Sequence, residues 1–164
     1  MEGRRVRESA SELSEFVLPI YANPLGNLLG GRIMHLVDLA AATAAMRHSR
    51  CPVVTASVDH MTFLRPVRIG QLVILKASVN RVFRTSMEVG VKVFVEDLKS
   101  GETRHTNSCY LTFVALTEEG QPREAPPVIP ETEVEKQRWA EAGERREQRL
   151  RARAEAREHE RRRP

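Results

Sequence analysis

Val17–Arg47 reads VLPIYANPLGNLLGGRIMHLVDLAAATAAMR, and its second half decides the architecture. From Ile33 to Met46, Asp38 is the sole residue that carries a formal charge at neutral pH. A helix that is apolar on every side has to be enclosed by other structure or span a membrane. At about 14 residues it falls short of the ~20 a bilayer requires. The stretch therefore predicts a buried central helix, from about Gly31 to His48, stopped ahead of Pro52. Gly26, Gly30 and Gly31 precede it, and glycine at a helix start lets a ligand approach the backbone closely.

Asp38 breaks the pattern of that helix. A carboxylate left unpaired in a buried helix costs several kcal/mol unless it is hydrogen-bonded or protonated, and Asp is a mediocre helix former. At 100° per residue Asp38 shares a stripe with Met34, Ala41, Ala42 and Ala45, whose small side chains leave room for a ligand or a second chain. Two readings fit: a functional acid, or an Asp paired with an Arg across an interface.

Outward from the helix the period changes to two. Glu12–Leu18 predicts a strand ahead of Pro19, and Asn23-Pro24 followed by Gly26-Asn27 predicts an extended step into a turn. Past the helix, Val53–Val58 is β-branched, with Met61–Leu64 continuing it as far as Pro66. Gln71–Val82 alternates, placing Val73, Leu75, Ala77 and Val79 on one face. Met87, Val89, Val91, Val93 and Val95 alternate against polar neighbours, and Cys109, Leu111, Phe113 and Ala115 share a face of a last strand near Arg104–Leu116. Strand, buried helix, then four or five antiparallel strands imply an α+β layer fold, one sheet curled around one helix.

Four segments are expected: a weakly ordered start (1–11), the domain (12–118), a proline-punctuated linker (119–130) and a charged helical tail (131–164). The tail pairs Glu141/Arg145, Glu147/Arg151 and Glu158/Arg162 at i,i+4. With Trp139 and Leu150 as its only large apolar residues it predicts a solvated helix, Trp139 docking its start on the body. Residues 131–164 hold 11 basic and 9 acidic groups and the first 130 hold 15 and 13, so each part is only +2. A field this mild, mixed with glutamate, argues against nucleic acid as a partner.

MEGRRVRESASE has no hydrophobic signal core, and no apolar run is long enough for a membrane span, so a cytoplasmic location is expected. Cys51 and Cys109 lack metal or redox spacing and read as reduced packing residues. The five histidines form no zinc pattern, so no metal is expected. His35, i,i+3 to Asp38, finds no third ligand in the sequence and reads as a packing or interface residue.

N-P-x-G-x-x-x-G-G at Asn23–Gly31 ahead of a helix bearing Asp38 resembles the acyl-CoA thioesterases of the hot-dog fold. The brain-type acyl-CoA hydrolases and their small bacterial relatives are the nearest group. R-H at Arg47-His48, V-T-A-S-V-D at Val54–Asp59, F-x-R-P at Phe63–Pro66, T-S-M-E-V at Thr85–Val89 and Y-L-T-F-V-A-L at Tyr110–Leu116 fit the same group. The resemblance covers about residues 12–118. It implies a long helix wrapped by a curved antiparallel sheet, in homo-oligomers of dimers that often form hexamers, with active sites between subunits. It also implies a catalytic pair, Asn23 and Asp38, drawn from different subunits. One departure is Leu29, where His or Phe usually precedes the Gly-Gly.

Thioester hydrolysis needs a nucleophile at the carbonyl carbon and a positive dipole at its oxygen. Asp38 fits as a general base on water or as a direct nucleophile through a mixed anhydride. The free amide of Gly31 at the helix start is the expected oxyanion donor. Asn23 would orient water or bond the thioester; its alternative role is an Asx turn with Pro24. Coenzyme A, as part of the substrate rather than a cofactor, would lie along Thr55–Val58, with Ser57 as the side-chain contact. Its phosphates would meet Arg84 and Ser86 at a hairpin, with Arg65 and Arg68 behind them. The rivals are a hot-dog enoyl-thioester hydratase, whose His and following Pro-Gly are missing, and a non-catalytic acyl-CoA-binding module, which has no need of Asp38.

Overall fold

The computed structural model describes residues 1–63 and 65–161. Helix α2 spans Gly30–Ser49. Around it curls an antiparallel sheet ordered β2-β4-β5-β6-β3, built from β2 (Ser11–Phe16), β3 (Val53–Val58), β4 (Leu72–Phe83), β5 (Ser86–Asp97) and β6 (Glu102–Ala115). β3 and β2 are therefore the edges. The hot-dog architecture expected from the sequence is the one observed.

The period-2 residues of the three central strands form the inner face. Leu75, Val79, Met87, Val89, Leu111, Phe113 and Ala115 are all at or below 1 % exposure. Against them lie Ala40, Ala41, Ala44 and Ala45, equally buried. Alanine at these four positions leaves no side-chain bulk between helix axis and sheet, so α2 beds closely on the strands. At its end Arg50 adopts the left-handed cap (φ +56°) and Arg4 donates to the carbonyl of His48, closing orphan helix groups.

Three expectations are corrected. The helix is not enclosed on all sides: Met34, Leu39 and Met46 are 42–50 % exposed, and Asp38 is only half-buried. The sequence marks this face as apolar, but a single chain has nothing to cover it. Met61–Phe63 does not extend β3. The Asp59 amide makes the last sheet bond, to the carbonyl of Tyr110, and the chain then leaves the sheet on its way to Pro66; Leu64 lies outside the described residues. Residues 1–11 are ordered: β1 (Arg4–Arg5) pairs in parallel with β7 (Val128–Ile129), and α1 (Val6–Ser9) buries Val6 and Ser9. Between β6 and β7 the chain is strapped down, the Ala125 amide bonding the carbonyl of Arg84.

The tail differs most from its expectation. Helix α3 (Glu133–Arg161) is docked along the outer face of the sheet. Arg145 donates to both oxygens of Glu88 (2.7–3.2 Å) and lies 3.7 Å over the Tyr110 ring. Arg149 bridges Glu88 (2.9 Å) and Asp59 (2.6 Å). Trp139 holds the start of the helix, as expected, by stacking on the Arg81 guanidinium at 3.5 Å. Gly143 faces Arg81, where a Cβ would collide with the guanidinium. The helix has few apolar residues, yet it docks because arginine forks meet a fully buried carboxylate.

Candidate active site

Asp38 sits at the middle of α2, where the helix passes edge strand β3. The Thr55 hydroxyl donates to its Oδ1 at 2.7 Å. No cation among the described residues pairs with the carboxylate within the chain. The β-bulge between Thr55 and Ser57 sets which way these two side chains point. Thr55 faces the helix, while Ser57 lines a groove on the outer side of the sheet. Thr55 was missed as a site residue because strand alternation alone puts Thr55 and Ser57 on one face, and only the bulge between them turns Thr55 to the helix.

Gly30 and Gly31 are the first two helical residues, so their amides have no partner within the helix. Gly31 faces open space, nothing lying within 4 Å of a Cβ built on it, whereas Gly30 abuts Phe63. Arg32 ties this end of the helix to β2 through Glu15 (Nε to Oε2 3.0 Å) and stacks on Tyr21 at 4.0 Å.

Asn23 folds the loop before the helix. Its Oδ1 accepts from the Leu25 and Asn27 amides at 3.0 and 3.1 Å, an Asx turn completed by Gly26 at φ +75°. The side-chain NH₂ is left over as a donor. Asn23, Gly31 and Asp38 are not brought together within one chain. Seven residues of helix separate Gly31 from Asp38, about 10 Å of rise, far beyond the ~3 Å at which two groups can serve one carbonyl.

The expected phosphate contacts are dispersed. Ser86 lines the outer groove with Ser57 and accepts from Arg146 of α3 at 3.1 Å. Arg84 occupies the left-handed position of the β4–β5 turn (φ +57°), exposed and outside the groove lining. Arg65 is exposed on the loop after β3, and Arg68 lines a separate cleft with Arg104. The groove, about 550 Å³, instead takes its cations from α3: Arg146, Arg149 and Arg153. Nothing in the local sequence of the domain pointed to these residues.

Among the described residues no group of three His, Cys, Asp or Glu could hold a metal, and no helix is long and apolar enough to cross a membrane. Both cysteines are free and buried. Burial pushes the Cys109 thiol up to about 12, which removes it as a nucleophile.

Comparison with known proteins adds to this geometry. The thioesterase superfamily model matches residues 25–102. YkhA of Bacillus subtilis, described as an uncharacterized acyl-CoA thioester hydrolase, is 41 % identical over 134 residues, covering 82 % of this chain and 78 % of its own. The crystal structure of an acyl-CoA hydrolase from Bacillus cereus superposes with a TM-score of 0.90 at 42 % identity, over 96 % of both chains. An asparagine-to-alanine variant of the Staphylococcus aureus acyl-CoA hydrolase, in complex with coenzyme A, gives 0.91 at 34 % identity over 96 % and 95 %. That enzyme was also solved with an aspartate and with a threonine replaced by alanine, and the three positions are spaced as Asn23, Asp38 and Thr55 are here. A further neighbour, at 0.90, is described as an apo-hexameric acyl-CoA thioesterase.

Proposed function

The chain belongs to the thioesterase superfamily, among the acyl-CoA hydrolases of the hot-dog fold, and from that premise we propose that Asp38 drives hydrolysis of an acyl-CoA to free acid and coenzyme A. The observation that carries this is the Asp38 carboxylate, held at one oxygen by Thr55, paired with no described cation, and half-open on an apolar helix face. Fixing Oδ1 leaves Oδ2 to take a proton from water or to attack the thioester carbon.

In the water route, Asp38 removes a proton as the water oxygen bonds to the carbonyl carbon. The carbonyl oxygen becomes an oxyanion, and the bond to sulfur then breaks, releasing coenzyme A thiolate, which picks up the proton. In the nucleophile route, Asp38 forms the anhydride as the thiolate leaves, and water then cleaves it. In either route Gly31 supplies an N–H to the oxyanion, its amide strengthened by the helix dipole. The free NH₂ of Asn23 donates to water or thioester.

The 10 Å between Gly31 and Asp38, about seven residues of helical rise, requires two copies of the chain: Asp38 from one, Asn23 and Gly31 from the other. A two-fold pairing supplies both sites at once. It would also cover the exposed apolar surface of Met34, Leu39 and Met46 on α2 with Val58 on β3, which no lone soluble chain is expected to leave open. Three such dimers would make a hexamer, the assembly named for the hexameric neighbour. Free Cys51 and Cys109 suit a reducing compartment, which supports a cytoplasmic location.

The test is to incubate the protein with acyl-CoAs of graded length and follow free thiol, alongside hydration of an enoyl-CoA by loss of its conjugated absorbance. Thiol release without hydration is expected. Binding of acyl-CoA with no thiol release would favour a binding module, and hydration alone would favour the hydratase.

A further inference from the structure

We propose that the outer face of the sheet carries a second ligand site, for a phosphomonoester, beside the start of α3. It is a depression of about 510 Å³ over β4, β5 and β6, bordered by Arg138 of α3. Leu75, Ala77, Val89 and Val91 turn inward from these strands and are buried. The residues that alternate with them face outward, so the thickness of the sheet separates this site from α2 and Asp38.

Two cross-strand rows build it. In the first, the register sets Glu12 beside Lys76, Lys76 beside Lys92, and Lys92 beside Ser108. Like charges directly opposite on neighbouring strands are destabilising, and only one of these two is compensated. Lys76 reaches Glu12 at 3.5 Å, whereas Lys92 pairs with no carboxylate among the described residues. In the second row Gly90 lies between Ser78 and Tyr110. Glycine weakens a strand interior, but a Cβ at this position would meet the Asn80 amide at 2.9 Å. The missing side chain leaves the floor of the depression open beside Lys92.

The third cation comes from the tail. Arg138 lines the depression and forms no ion pair among the described residues. Glu135, one turn earlier, spends its carboxylate on the Glu131 and Thr132 amides at 2.7 and 2.9 Å. Lys76, Lys92 and Arg138 against Glu12 leave a net +2, which a phosphate carrying −1.5 to −2 at neutral pH balances. Such an anion would take the fork of Arg138 and relieve the repulsion between Lys76 and Lys92. Ser78, Ser108 and Tyr110 offer hydroxyls to its remaining oxygens. Phe94, with Lys76 over its ring at 5.8 Å, gives the organic part an apolar wall. A ligand held this way would fasten the start of α3 to β5.

The experiment titrates the full chain calorimetrically with phenyl phosphate at fixed ionic strength, alongside Lys92→Gln and Arg138→Gln. Each protein is also melted with and without the ligand, against potassium chloride of matched ionic strength. Saturable binding to wild type is expected, weakened about tenfold or more by either substitution. Phenyl phosphate should raise Tm where chloride does not. Without ligand, Lys92→Gln should melt above wild type, by up to about 4 °C, because the opposed charges are gone. No saturable binding, binding that survives both substitutions, or a Tm rise that chloride reproduces would overturn the site. A Lys92→Gln protein less stable than wild type would also overturn it, because Lys92 would then be serving the fold. Inorganic phosphate should bind more weakly than the ester, and equal affinity would overturn the assignment of an organic ligand. None of these readouts involves thioester cleavage, so the hydrolase reading stands or falls separately.

Discussion

The Thr55 hydroxyl donates to Oδ1 of Asp38 at 2.7 Å, linking the edge strand to the central helix at the acid proposed to be catalytic. A hydrogen bond to an ionised group contributes about 1.5–3 kcal/mol. Thr55→Ala is expected to lower kcat/KM about 10–100-fold, and Thr55→Ser to recover most of it. A thiol-release assay on the two variants checks both directions.

Mixing tests the two-copy site. Asp38→Ala and Asn23→Ala homo-oligomers should each be nearly inactive. If the chains are co-expressed so that subunits assort at random, half the dimers are hybrids, each with one intact site of two. About a quarter of wild-type activity should return. Activity no higher than that of the separate variants would place both residues in one subunit's site.

The outer face makes a stability prediction. Glu88 is fully buried and is held by Asn80, Arg145 and Arg149. Removing both cations with Arg145→Ala/Arg149→Ala leaves a buried charge uncompensated, at a cost of about 3–5 kcal/mol. In a chain of this size that corresponds to a drop in Tm of roughly 6–20 °C. Adding Glu88→Gln to the same background should recover a large part of it. Truncation at Pro130 should destabilise the domain in the same way.

His48 predicts acid sensitivity. It is fully buried, its Nε2 bonded to the carbonyl of Pro126 at 2.8 Å and its Nδ1 unpartnered. Burial pushes its pKa below the ordinary value, outweighing the bond to Pro126. The unfolded chain therefore takes up a proton that the folded chain refuses. The stability from a neutral His48 is complete above the unfolded value of ~6.5 and declines as pH falls below it. Thermal melts at pH 7 and pH 5 should differ more for wild type than for His48→Gln.

The core was legible because it rests on local periodicity. The faces of Val73–Val79, Met87–Val95 and Cys109–Ala115 needed nothing beyond alternation, and the alanines of α2 marked the helix that packs on them. Asp38 stood out because it violates that pattern. The missed features depend on long-range partners. Thr55 became a contact only once β3 lay beside α2. The burial of Glu88 follows from arginines 57 and 61 residues further along the chain. Composition alone read those same arginines as a solvated face. The open face of α2 was misread as interior because an apolar stripe does not say whether the cover is the same chain or another copy.

In the proposed hydrolysis, catalysis turns on the Asp38 carboxylate. Wild type and Asp38→Asn, matched for folding by circular dichroism and for coenzyme A affinity by titration, should be compared for thiol release from an acyl-CoA. A loss of about 10²–10⁴-fold in kcat is predicted, and release that continues at the wild-type rate would contradict it.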